Sequence, residues 1–179
     1  MVNSYQYTKI ILQMIDWVKE SEEVYYTSKM IPTLSKKEID FLINESKNNK
    51  RKRCRVCMHK NKKDISQEMF IVHLNGCYIR PHMHTDKAES MSVIAGEADA
   101  IFFNNNGKVI DKIELGEYSS GKNFYYRINK NIYHMLIIRS EYFAFQENTL
   151  GPFFENSVIF PDWAPELYNQ SFINRIIKS

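Results

Sequence analysis

His82 and His84 stand two residues apart in the stretch GCYIRPHMHTDKAESMSVIAG, residues 76–96. On an extended segment that spacing sends both side chains to one side, so the two imidazoles can address a single point. A loop through Thr85, Asp86 and Lys87 lets the next strand return antiparallel, which brings Glu89 opposite them. Two imidazole nitrogens and a carboxylate oxygen suit a divalent transition metal.

Such donors need a scaffold, and short alternating segments supply it. Strands are predicted over 53–58, 69–74, 78–84, 90–94, 98–104, 109–115, 124–128, 133–138 and 142–147, with Asn106-Gly107 as a hairpin turn. Many short strands at this spacing predict a sandwich or barrel. Ahead of them, Ile10, Ile11, Met14, Ile15, Trp17 and Val18 recur at helical spacing, predicting an amphipathic helix over 5–20. Ser35 and Glu38 read as a capping box opening a second helix that runs to about residue 46, with Leu42 and Ile43 facing inward. Pro165 can start a last helix through about residue 177, whose buried stripe is Phe172, Ile173, Ile176 and Ile177.

Gly76, five residues, His82, one residue, His84, four residues, Glu89, six residues and Gly96 together resemble the first sequence motif of the cupins. The second cupin motif is kept less fully. Gly121 lies two residues upstream of the motif position, Asn129 stands for the Pro and Asn131 for the second Gly, while the terminal histidine is present as His134. Asn tolerates the left-handed conformation better than other non-glycine residues, so Asn131 can make the turn. The resemblance implies a mainly β fold, the cupin double-stranded β-helix or jelly-roll barrel, with N-terminal helices and a short C-terminal helix. Residues 1–50 are then a helical extension, 51–165 the barrel and 166–179 the closing helix. It also implies four metal ligands: His82, His84, Glu89 and His134.

More narrowly, the chain resembles the WbuC family of cupin-fold metalloproteins. The landmarks are Arg53, His59, Gln67 with Met69, Tyr78, Pro81-His82-x-His84, Lys87-x-Glu89, Gly151-Pro152 and Trp163-Ala164-Pro165. They cover roughly the last two thirds of the chain. The family takes its name from bacterial surface-polysaccharide gene clusters, and the resemblance carries fold and metal but no reaction. It places Arg53, His59 and Gln67 at the cavity mouth and gives Lys87 a claim on the substrate, against its reading as a solvated loop lysine. If His82 and His84 point into a barrel, strand alternation carries Arg80 and Tyr78 inward too. Arg80 is then either a clamp for an anion or the partner of a buried acid such as Glu147. His73, in an apolar strand, reads as structural.

The remaining composition narrows the field. A chain of 179 residues, 44% hydrophobic and 13% aromatic, fits one globular domain, and no apolar run is long enough for a membrane span. The beginning lacks a signal-peptide pattern, so a cytoplasmic protein is expected. Cys54, Cys57 and Cys77 are neither a disulfide framework nor a zinc ribbon, and read as strand cysteines. Nine of the 24 basic residues fall within 47–63, where there is no acid. That patch is either a solvated loop and edge strand or an attractor of anions, and no nucleic-acid motif accompanies it.

Three histidines and a glutamate leave coordination positions open. One divalent ion there (iron, manganese, nickel, cobalt or zinc) can polarise a carbonyl, stabilise an enolate or activate water. On a nucleotide sugar or other anionic small molecule this predicts isomerisation, epimerisation or hydrolysis in surface-polysaccharide (O-antigen or lipopolysaccharide) synthesis. Arg80 and Arg53 would hold the anion, and Tyr78 or Glu147 would move protons. The alternatives are an iron-dependent dioxygenase and a non-catalytic, metal-dependent sugar-binding or sensing cupin. A homodimer is expected.

Overall fold

The computed structural model describes residues 16–178. Strands are β1 (Trp17–Lys19), β2 (Val24–Thr27), β3 (Arg53–Cys57), β4 (Ser66–Leu74), β5 (Met83–His84), β6 (Glu89–Ala95), β7 (Ala98–Phe103), β8 (Val109–Leu115), β9 (Tyr125–Ile128), β10 (Tyr133–Ile138), β11 (Tyr142–Leu150) and β12 (Val158–Ile159). Helices are α1 (Lys36–Lys47) and α2 (Gln170–Lys178). One sheet runs β1-β2-β3-β4-β11-β6-β9, a second β10-β7-β8, and β12 pairs with β5. The pairings are antiparallel except β2 with β3. Between the sheets lies a core that includes Met69, Ile71, Met91, Phe102, Leu136, Phe143 and Phe145.

Alternation along the strands sorts the residues between two layers. On β3, Cys54 and Val56 face outward under α1, beside Leu42, Tyr25 and Val72. Cys57 faces the barrel core, and Arg53 and Arg55 share its side. The CxxC thus straddles the sheet, and all three cysteines are free and buried. Nor is β3 an edge: β2 and β4 flank it, so the expected edge strand of the basic patch is an interior one.

The α1 prediction is met, capping box included: the Ser35 side chain accepts from the backbone and Glu38 takes the Ser35 N–H at 2.8 Å. The first predicted helix falls mostly on residues 1–15, outside the described residues. Its described end is a strand, β1, which adds to the large sheet through Trp17 opposite Thr27. Helix α2 starts at Gln170 rather than Pro165, because the Asn169 side chain accepts from Phe172 N at 2.9 Å and caps it there. Phe172, Ile173 and Ile176 pack on Ile101, Phe103, Tyr133 and Met135 of the second sheet. Gly96 ends β6 at φ 84°, where a Cβ would meet Tyr142 O at 2.1 Å, so only glycine fits. Among the described residues no helix is long and apolar enough to cross a membrane.

Candidate metal centre

Three imidazoles meet inside the barrel: the ligating atoms of His82, His84 and His134 all lie within 4.8 Å of one another. His82 and His134 form an antiparallel backbone pair, His82 N to His134 O at 3.1 Å and His134 N to His82 O at 2.9 Å. That pairing sets the rings 4.4 Å apart, centroid to centroid. Asn131, at φ 66°, makes the predicted left-handed turn and donates its N–H to His84 O at 2.8 Å.

Hydrogen bonds at the back of the rings decide their protonation. His82 Nδ1 lies 2.9 Å from Arg80 O and His134 Nδ1 lies 3.0 Å from Ile132 O. A carbonyl only accepts, so both Nδ1 atoms carry the proton in the neutral rings and both Nε2 lone pairs face the cluster. Glu89, on β6, reaches across the barrel rather than along a shared hairpin, because β5 and β6 belong to different sheets. Its Oε2 is 3.2 Å from His84 Nε2 and its Oε1 3.2 Å from His134 Nε2. His134 Nε2 still lacks a partner in hydrogen-bond geometry among the described residues. Converging, inward-facing imidazole nitrogens and a buried carboxylate are the donor set of a divalent cation, and the arrangement fits one.

The electrostatics bear the mark of this crowding. Burial, then the neighbouring His134, pushes His82 down to about 3. Burial opposes the His134 cation, but the Glu89 charge outweighs it and the net shift is upward. Glu89 itself lies well below the usual carboxylate range, the histidines overcoming the cost of its burial. Glu147, on the cavity wall, is pushed up to about 8 by burial and by the Glu89 charge.

A cavity of about 490 Å³ extends from this cluster along the barrel interior. Arg53, His59, Gln67, Arg80, Lys87 and Glu147 all line it. Arg53 Nε donates to Glu23 at 2.7 Å. His59 is held by the main chain of Glu68, and Gln67 Nε2 donates to Asp64 O at 2.7 Å. The partner of Arg80 is Glu166, at 3.7 Å, and not Glu147; its guanidinium also lies 4.9 Å from the centre of the Phe160 ring. Lys87 is not a solvated loop lysine: it is only 6% exposed, with its ammonium 5.3 Å from the centre of the Phe153 ring. Tyr78 turns away. Residues 77–81 are not in a regular strand, so alternation fails there, and Tyr78 OH donates to Pro165 O at 2.7 Å in the layer beneath α2. His73 stays neutral, pushed down to about 3 by burial and then by Arg53, with its ring edge-on to Phe145. The sequence reading passed over Arg55, Phe153 and Phe160, although the alternation that carries Cys57 inward carries Arg55 too.

Several solved structures share this architecture. The capsular polysaccharide assembling protein CapF from Staphylococcus aureus superposes with a TM-score of 0.53 at 16% identity, over 63% of this chain and 32% of that one. A structure of CapF with the inhibitor 3-isopropenyl-tropolone gives 0.50 at 16% identity, over 60% of this chain and 31% of that one. The chain has a cupin fold. The likeness is one of fold, and the chain spans about a third of the CapF chains it matches. A family model described as a domain of unknown function, DUF6016, matches residues 34–115. No curated protein matches the sequence.

Proposed function

We propose that this chain is a metal-dependent cupin of the WbuC kind that acts on an anionic small molecule, such as a nucleotide sugar, in bacterial surface-polysaccharide synthesis. The observation that carries the reading is the convergence of His82, His84, His134 and Glu89 at one end of a cavity whose walls bear several cations. The fold shared with CapF, a protein that assembles capsular polysaccharide, supports the setting.

A divalent ion held by these four residues supplies a Lewis acid that polarises an oxygen of the bound molecule. The rest belongs to the chain. Nδ1–H donation to Arg80 O and Ile132 O fixes the two imidazoles. Phe160 faces both the Arg80 guanidinium and the His82 ring, and Glu147 offers a carboxyl on the cavity wall.

The test is elemental analysis of protein purified without a metal-affinity tag, repeated on His82→Ala. One equivalent of a transition metal, lost in the variant with the fold intact, is the expected result. Wild-type protein that neither carries a metal nor takes one up from added zinc, manganese or iron would overturn the reading.

A further inference from the structure

The arginines that meet carboxylates are not all held alike. Arg53 Nε donates to Glu23 at 2.7 Å, and Arg139 is paired with Asp99, whose carboxylate is buried. Among the described residues Arg80 has no such partner. Its Nη1 is 3.7 Å from a Glu166 side chain that is 85% exposed, its Nη2 reaches Pro161 O only at 3.5 Å, and its Nε is buried without a hydrogen bond. The first distance is too long for a hydrogen bond and the second is at the limit. A largely covered guanidinium with unsatisfied donors is open to an oxyanion.

The register sets this group beside the histidine cluster. β12 runs antiparallel to β5 with Ile159 opposite Met83, which carries the next residue, Phe160, to His82. The centre of the Phe160 ring is 6.1 Å from that of the His82 ring and 4.9 Å from the Arg80 guanidinium. One phenyl ring thus stands against both. The main chain ties them as well, since His82 Nδ1 donates to Arg80 O at 2.9 Å. All three side chains line the same cavity.

We propose that Arg80 binds a carboxylate or phosphate group of the molecule taken up in the cavity, and that Glu166 engages the guanidinium until that group displaces it. An ion pair as exposed as this one is weak, whereas an anion in the cavity can accept from two donors of the planar fork at once. Glu166 is then a competitor built into the chain, which raises the anion concentration needed to fill the site. This deepens the reading above and rests on it only in taking the anion and the group that meets the metal to belong to one molecule.

The experiment is calorimetric titration with inorganic phosphate and, separately, malonate, with a thermal melt of each anion-free protein. The proteins are wild type as purified, wild type stripped with a chelator and dialysed, Arg80→Gln, Glu166→Gln and, as a control for net charge, Lys36→Gln on α1, an exposed residue outside the cavity. Wild type should bind at least one anion with or without chelator treatment, the tighter one naming the group. Arg80→Gln should weaken that binding by at least about tenfold, and Lys36→Gln should not. Glu166→Gln should tighten it by about two- to fivefold, the worth of an exposed ion pair, and should melt at the wild-type temperature.

Equal binding by wild type and Arg80→Gln would overturn the site. If chelator treatment abolishes that binding, the anion sits on the metal and the metal reading stands. Wild type that binds neither anion overturns the proposal too. A Glu166→Gln variant that binds no more tightly than wild type, or that melts lower, would make the Arg80–Glu166 contact a structural brace and overturn the displacement. Failure of metal uptake with Arg80-dependent binding intact removes only the earlier reading.

Discussion

His82 and His134 exchange both backbone hydrogen bonds, at 3.1 and 2.9 Å, and so hold their imidazoles side by side from two distant parts of the chain. A hydrogen-bonded antiparallel pair projects its two side chains to the same face. The main chain thus does for these two histidines what a hairpin does for neighbouring residues. The same pair fixes the carbonyls of Arg80 and Ile132 behind the rings, and with them the tautomers.

Asn131 is the joint on which the third imidazole hangs, through its N–H to His84 O at 2.8 Å. Its left-handed backbone, φ 66°, disfavours a Cβ-branched or alanine side chain. Asn131→Ala is expected to lose about 1 kcal/mol of stability and to weaken metal binding, while Asn131→Gly should keep or slightly raise stability. Urea denaturation and chelator competition on both variants check this. Equal behaviour of the two would show that the turn has no grip on His84.

His73 gives the protein an acid sensitivity. Its folded pKa, about 3, lies below the ordinary histidine value, because burial and then Arg53 disfavour the cation. Between those values the unfolded chain binds the proton and the folded one does not, so stability falls as the pH drops below about 6.5. The limiting slope is about 1.4 kcal/mol per pH unit. His73→Leu should remove this share and leave that of His82, whose pKa burial lowers as far, so the stability profile from about pH 4 to about pH 6.5 becomes flatter but not flat in urea titrations. An unchanged profile would assign the acid sensitivity to other groups.

Leu42 tests whether the outer layer and the cavity are separate. It is fully buried between α1 and the outer face of the large sheet, in a packing group separate from the barrel core. Leu42→Ala should cost about 2–5 kcal/mol and leave the metal content at one equivalent under native conditions. Loss of metal from a still-folded variant, seen by elemental analysis beside circular dichroism, would show that α1 braces the site.

What the sequence revealed was local, and what it hid was carried by distant partners. The two-residue spacing of His82 and His84, the capping box at Ser35 and the turn at Asn131 rest on neighbours along the chain, and the structure has them as read. Glu89 reaches the imidazoles by another route, from the facing sheet, since strand pairing is not written in the loop that joins β5 to β6. Alternation failed at Tyr78 because Pro81 and its neighbours leave the regular strand. The burial of Lys87 depends on Phe153, and the engagement of Arg53 on Glu23, both supplied by segments remote in sequence. Arg55 was legible from its register with Cys57, but charge alone made it look like part of a solvated patch.

Strand β3 turns Cys54 and Val56 toward helix α1 and Arg53, Arg55 and Cys57 toward the cavity. Adjacent residues of one short strand therefore answer to different selective pressures. The outward pair can drift with α1 so long as volume is conserved, while the inward positions are bound to whatever the cavity holds. As such chains diverge toward new ligands, change at Arg53 and Arg55 should come with little change at Cys54 and Val56, and a single strand would record the history of the scaffold and of the chemistry in alternate letters.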